Sequence, residues 1–420
     1  MVTAGALSPP KKKPGNASMA GIAALTAAYV LSQFFRSFLA VLTPALIDEL
    51  GATKAELSMA SGAWFVAFAL MQFVVGVSLD RFGPKRTASV LLALCGGGGA
   101  FLFSAATSPW MVTAAMVLIG MGCAPVLMAS VFIFARNYST ARLAVLTSTL
   151  IGVGSAGNVF SASPLASAAE MFGWRGVIAF LGVLTLLVAF AIAAFVRDPE
   201  RDPAEPTSSG FAGYLELMRL RVLWPIIPLT ALNYAPAVGI RGLWAGPYLA
   251  DVYGANAIII GEVTLFMALA MVAGNFLYGP LDTIFRTRKW VAVSGNALSL
   301  AAVLWLALNP GAGIPADTIV FVVIGICGAS YGLLMAHARP FLPAHLTGRG
   351  VTLMNFFSIG GVGMMQFLTG GVVTVATVPG APQAAYQSLF LFYAATLAAA
   401  LVIYLAARDA KPETRRSGSG

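Results

Sequence analysis

The chain has 420 residues, of which 59% are hydrophobic and only 10% charged, with a net charge of +9 at pH 7. That balance excludes a water-soluble globular surface, so the bilayer must be the solvent. The three cysteines show neither CxxC nor Cys/His ligand spacing, which excludes a disulfide framework and a structural zinc site.

Stretches without a charge run over 57–79, 87–135, 143–169, 176–196, 263–281, 290–316 and 350–407. A spanning helix needs roughly 20 such residues, so the two longest must each turn back once. Thr107-Ser108-Pro109 and Pro379-Gly380-Ala381-Pro382 supply the breaks. The predicted spans are 20–44, 57–79, 87–106, 110–134, 144–168, 176–196, 223–249, 258–280, 290–308, 316–337, 351–375 and 386–407, twelve in all. Every span is longer than a transmembrane strand and none alternates polar with apolar, which argues for helices over a β-barrel. Lys11-Lys12-Lys13 before the first apolar run imitates a signal peptide, but eleven further spans follow, and the run reads as an uncleaved first helix.

Basic residues near span ends are retained on the cytoplasmic side. With both termini inside, the tails and inner loops hold 21 of the 25 Lys and Arg residues; Lys54 and Arg175 fall outside, and Arg36 and Arg241 lie within spans. The expectation is an integral protein of the plasma (bacterial inner) membrane with both termini cytoplasmic. Topology and anionic lipid account for the positive charge without a nucleic-acid partner. Three parts are expected: 1–196 as a six-helix bundle with a short tail, 197–222 as a cytoplasmic linker, and 223–420 as a second six-helix bundle.

A shift of roughly 200 places lays the second half on the first. Pro44-Ala45-Leu46-Ile47-Asp48-Glu49-Leu50-Gly51 meets Pro247-Tyr248-Leu249-Ala250-Asp251-Val252-Tyr253-Gly254, Asp80 meets Asp282, and the halves end on Arg197-Asp198 and Arg408-Asp409. Parallel repeats of this kind belong to carriers that rock two halves about a central site. Between the second and third spans, Gly76-Val77-Ser78-Leu79-Asp80-Arg81-Phe82-Gly83-Pro84-Lys85-Arg86 resembles the inner-loop signature of the major facilitator superfamily. The resemblance covers nearly the whole chain and implies an all-α polytopic membrane fold: twelve transmembrane helices in two six-helix bundles related by pseudo-twofold symmetry. It implies a secondary transporter working by alternating access, not an enzyme. It also implies gating or structural roles for Asp80, Arg81, Gly83 and Arg86, and for Asp282 in the degenerate second copy. Asp80 could accept charge-assisted bonds from nearby arginines, cap a neighbouring helix and so latch the outward-facing state. Pro84 stands where many members carry a basic residue, which weakens that latch.

Within the spans, Tyr29 and Arg36 are seven apart in the first helix, and Tyr234 and Arg241 are seven apart in the seventh. Seven residues are nearly two turns, so each Tyr shares a face with its Arg, and Gln33 joins the first face. An arginine in hydrocarbon costs at least roughly 2.5 kcal/mol, so each should face water or a partner. Yet no span carries a carboxylate at that depth. An anionic substrate is the natural missing partner, because guanidinium binds carboxylate or phosphate bidentately. The pairing resembles the organophosphate antiporter branch of the superfamily, where arginines of the first and seventh helices clamp a phosphate. Candidate substrate-binding residues are Tyr29, Gln33, Arg36, Asn158, Asn233, Tyr234, Arg241 and Gln366; the plainer alternative is that the arginines bond backbone carbonyls and the amides join helices.

His337, near the inner end of the tenth span, is a candidate for H+ coupling, against an ordinary interfacial histidine; counter-anion exchange is the other coupling mode expected. No cofactor and no resident metal are expected, and the partners are a small-molecule substrate and the lipid bilayer, with the chain a monomer. Three other functions stay open. An efflux carrier for drug-like compounds would favour a buried carboxylate and an antiporter Gly-Pro motif in the fifth span, from which Gly152 to Pro164 departs. A Cu(I) carrier could use Met267 and Met271, or Met121, Cys123 and Met128. A non-transporting receptor or membrane-embedded enzyme would need an extra domain or a catalytic constellation, and neither is visible.

Overall fold

A computed structural model describes residues 18–198, 212–343 and 346–410, without the side chains of Asp80, Thr140, Ala141, Ala144 and Ala212. Lys11 to Lys13, His345 and residues 199–211, half of the expected linker, lie outside the described residues. Nine continuous apolar helices and two bent pairs cross the molecule. In chain order they are α1 (Met19–Phe35 with Leu39–Leu50), α2 (Lys54–Phe82), α3 (Pro84–Ser104), α4 (Pro109–Asn137), α5 (Val145–Phe160 with Ser163–Phe172) and α6 (Trp174–Phe195). After a short helix, Ala212–Met218, comes α7, built from the pieces Ile226–Leu232, Ala235–Gly239, Ile240–Trp244 and Ala245–Tyr253. The second set is completed by α8 (Ala257–Phe285), α9 (Lys289–Leu308), α10 (Ile314–Phe341), α11 (Thr347–Ala376) and α12 (Pro382–Tyr404). Among the described residues eleven spans are thus long and apolar enough to cross a membrane, and α7, broken into four short pieces, stands where the remaining expected span falls.

The irregular spans have local causes. α1 bends by 51° at residues 36–38, and α5 bends by 45° just before Pro164, which cannot continue the hydrogen-bond ladder. α7 breaks at Asn233-Tyr234 ahead of Pro236 and then widens into a π-helical turn at Ile240–Trp244. These breaks are why α7 does not follow the single helix expected over 223–249. Where helices are regular, caps define them: Thr53 and Glu56 form a reciprocal capping box at the start of α2.

Both described chain ends lie at one end of the bundle, called here the near end; the other is the far end. At the far end the two halves close on one another through small residues that let backbones approach. A Cβ on Gly246 of α7 would lie 2.2 Å from the Ala40 carbonyl of α1, one on Gly62 of α2 would lie 2.9 Å from the Gly363 carbonyl of α11, and one on Gly261 of α8 would lie 3.0 Å from Ser163 Cα of α5. Lys54, opening α2, pairs with Asp251 at the end of α7, and the Tyr386 hydroxyl of α12 donates to the same carboxylate. Outward faces are apolar, with Phe172, Phe180, Phe190 and Phe276 more than half exposed, as hydrocarbon contact demands.

The matching ends of the two repeats acquire a physical meaning at the near end. Asp198 accepts from the Lys85 backbone N–H at 2.8 Å, capping α3, and Asp409 accepts from the Arg288 and Lys289 N–H groups at 3.2 and 3.0 Å, capping α9. The Thr287 hydroxyl also donates to Asp409, at 2.6 Å. Burial pushes the Asp409 carboxyl up, but the hydrogen bonds from Thr287, Lys289 and Arg288 outweigh it and hold the carboxyl below the usual range. Gly83 is required twice over: its φ is +85°, and a Cβ there would lie 2.8 Å from the Asp198 carboxyl.

Candidate substrate site between the halves

Arg36 sits at the break of α1 and Arg241 in the π-helical turn of α7, so both lie where the backbone is irregular. Irregular backbone at membrane depth is tolerated where protein or a cavity surrounds it, and π turns recur at functional positions. A Cβ on Gly242 would be 3.4 Å from the Arg36 carbonyl and 3.8 Å from Ser37 Cα, which puts the two arginines at one level.

The arginines are held differently. Arg241 is 3% exposed and donates to Asn158 of α5, to Oδ1 at 2.7 Å and to the carbonyl at 3.3 Å. The Ser37 hydroxyl donates to the same Oδ1 at 3.3 Å and lies 2.9 Å from Ser161 Oγ. Arg36 is half-buried, its guanidinium carbon 5.5 Å from the Trp64 ring centroid and 5.4 Å from that of Phe68 on α2, and its buried Nε has no hydrogen-bond partner. Cation–π contact supplies about 0.5–2 kcal/mol but leaves the donors unused. Among the described residues, no carboxylate forms an ion pair with either arginine.

Tyrosines frame the pair. Gln33 Nε2 donates to the Tyr29 hydroxyl at 3.1 Å, so the predicted polar face of α1 exists. The Tyr234 and Tyr331 rings lie 4.7 Å apart, and Tyr29, Tyr234, Tyr331 and Arg36 are all within electrostatic reach of one another. Tyr29 fits because α5 offers glycine opposite it: a Cβ on Gly154 would fall 2.1 Å from the ring. Thus Tyr29, Gln33, Arg36, Asn158, Tyr234 and Arg241 come together.

Asn233 and Gln366 are engaged elsewhere. Asn233 Nδ2 donates to Asn296 Oδ1 at 2.7 Å and Ser330 Oγ at 2.8 Å, tying α7 to α9 and α10. Gln366 accepts from Trp244 Nε1 at 3.1 Å and donates to Ser61 Oγ at 3.2 Å, bridging α11, α7 and α2. His337 lies away from the arginines, at the near end of α10. Its Nε2 is 2.8 Å from the Arg408 carbonyl and its Nδ1 is 2.6 Å from the Tyr404 hydroxyl. The first contact makes Nε2 the donor and leaves Nδ1 to accept, a neutral tautomer joining α10 to α12. At the near end, on the last turn of α2 and the first of α3, Arg81 and Arg86 are exposed, while Asp282 of α8 pairs with Arg288 at 3.1 Å. The side chain of Asp80 lies outside what is described. Trp64 and Phe68 escaped prediction as site residues; only their four-residue spacing, placing them on one face of α2, gave a signal.

Two bundles of apolar helices meeting around a charged and tyrosine-lined centre are the architecture of a membrane carrier. Comparison with known proteins gives its family. The Major Facilitator Superfamily profile matches residues 25–240, just over half of the 420, and the chain belongs to that superfamily. It is a transporter and not an enzyme. Similar proteins include the proton-coupled antiporter flippase LtaA of Staphylococcus saprophyticus, 24% identical over 83% of this chain and 85% of that one. The glycerol-3-phosphate transporter of Bacillus subtilis is 22% identical over 78% and 80%, and the hexuronate transporter of Escherichia coli is 25% identical over 69% and 73%. Among solved structures, a bacterial homologue of the lysosomal transporter Spinster, inward-facing and occupied, aligns with TM-score 0.71 at 18% identity, covering 92% of this chain and 96% of that one. A D-xylose–proton symporter aligns with TM-score 0.73 at 13% identity, covering 95% and 99%.

Proposed function

We propose that this transporter carries a small organic anion, a carboxylate, sulfonate or phosphate ester, bound between the halves by Arg36 and Arg241. The observation that carries the reading is the pair of arginines at one level on opposite halves, without a carboxylate counter-ion among the described residues. A bound anion would supply the missing charge and acceptors for the idle donors of Arg36. Tyr29, Gln33, Tyr234 and Asn158 would orient it by hydrogen bonds, and Asn233 and Gln366 would hold the helices that carry the site. Glycerol-3-phosphate and hexuronate, the solutes named for two relatives, are both small organic anions.

Alternating access then follows from the halves. Neutralising two like charges favours approach of α1 and α7 around the ligand, and the far-end contacts must part when the near end closes. Asp80, Arg81, Gly83 and Arg86, with Asp282 in the second copy, would form the near-end latch in that other state. The test is uptake into proteoliposomes of glycerol-3-phosphate, glucuronate and sulfoacetate, with glucose as the neutral control. The reading expects flux of at least one anion, and loss of it in Arg36→Gln and Arg241→Gln. Flux of glucose alone, or anion flux untouched by both substitutions, would overturn it.

A further inference from the structure

A second polar cluster lies at the far end of the C-terminal half, apart from the arginines. Asp317, in the first turn of α10, is fully buried. Its Oδ2 accepts from the hydroxyls of Tyr248 and Tyr253, both on the last piece of α7 and both at 2.6 Å. The Tyr253 hydroxyl in turn accepts the Gly313 N–H at 3.0 Å. Oδ1 is buried and has no partner, and no cation pairs with the carboxyl among the described residues.

We propose that Asp317 is a proton-binding switch for the far-end closure. A buried carboxylate served on one oxygen only is costly, and a proton from the far side binds Oδ1, removing one negative charge and leaving a neutral carboxyl. A metal ion would need several free oxygens at once, whereas here both hydroxyls are committed and a single oxygen is open. As a carboxylate, Asp317 draws in two hydroxyl donors, and the start of α10 favours the charge. As a carboxylic acid it is a weaker acceptor, and its hold on the last piece of α7 loosens.

That piece is one of the far-end junctions between the halves. It carries Asp251, which pairs with Lys54 of the N-terminal half and accepts from Tyr386. The rings of Tyr248 and Tyr386 lie 5.2 Å apart, so the Asp317 cluster and the inter-half ion pair share one packed unit. The break at Asn233-Tyr234 and the π turn give the piece a pivot. The groups facing the cluster are therefore Tyr248, Tyr253 and Asp251 from α7, Tyr386 from α12 and Lys54 from α2, while Glu262 on α8 is exposed. By linkage, protonation favours far-end opening, and opening favours proton uptake from that side. This goes beyond the anion reading, and its test needs no substrate.

The experiment replaces Cys95, Cys123 and Cys327 by Ala, introduces Thr107→Cys and Val378→Cys in the far-end loops of the two halves, and measures spin-label separation in nanodiscs as a function of pH. The expected result is a shift to longer separations as pH falls. Asp317→Asn, locked neutral, should show the longer population at every pH, and Asp317→Glu should restore the titration. Should Asp317→Asn fail to fold, Tyr253→Phe serves: removing a donor to the carboxylate moves the transition to higher pH. A pH-independent separation with Asp317 present, an unchanged titration in Asp317→Asn, or an unmoved midpoint in Tyr253→Phe would overturn the proposal.

Discussion

Arg36 and Arg241 occupy equivalent places in the two repeats, yet their surroundings differ in a way that assigns them different work. Arg241 is fixed by Asn158, so its guanidinium is pre-positioned. Arg36 rests on the stacked rings of Trp64 and Phe68, 5.2 Å apart, and can turn toward a ligand at little cost. Trp64→Leu therefore removes the platform without touching the charge. It should weaken anion binding by the worth of one cation–π contact, about 0.5–2 kcal/mol, with maximal flux affected less than half-saturation. A flux assay over substrate concentration checks this, and an unchanged half-saturation would count against the platform. The Tyr/Arg pairs were legible in the sequence because a charged residue in an apolar run is conspicuous and the repeat displays it twice. Trp64 and Phe68 were not, because aromatic residues in a span read as ordinary apolar packing until a cation is placed over them.

Among the helices, the informative features are ends and close approaches. Asp198 and Asp409 cap α3 and α9 in the same way, which explains why both repeats finish on Arg-Asp. The sequence displayed that match, but its purpose needed the fold, since each cap is more than a hundred residues from the helix it serves. Asp409→Asn should lower stability at neutral pH by about 1 kcal/mol, as loss of a charged cap does. The folded carboxyl lies below its usual range, so its contribution is present above the unfolded value near about 4 and fades as pH falls through the folded one. Melting curves of wild type and variant should accordingly differ at pH 7 and converge in acid; a gap independent of pH would contradict the assignment. Gly246→Val tests the close approach of α7 to α1. A side chain where the Ala40 carbonyl would be 2.2 Å away cannot be accommodated with the far end closed. Overpacking of about 1–3 kcal/mol should push the population toward the far-open state, seen as faster thiol labelling of an Ala40→Cys probe. Equal labelling rates would show that the contact is not what closes that end.

At the scale of the whole molecule, hydropathy and the repeat were enough to read an all-helical membrane fold in two bundles. What they could not show is where the spans break. The bends of α1 and α5 and the π turn of α7 cluster around Arg36, Ser161 and Arg241, so the irregular backbone and the buried charge form one central region. Long-range contact decides such breaks, and span-length reasoning does not see it. The central claim is that this region binds an anion through both arginines. Thermal unfolding of the purified protein tests it most directly, with glycerol-3-phosphate, glucuronate and sulfoacetate against glucose, in wild type and in the Arg36→Gln, Arg241→Gln double variant. A ligand at a hundred times its dissociation constant stabilises by about 2.7 kcal/mol. The account predicts such a shift for at least one anion in wild type, none for glucose, and its disappearance in a double variant that still melts cooperatively. A folded double variant that keeps the full anion shift would contradict it.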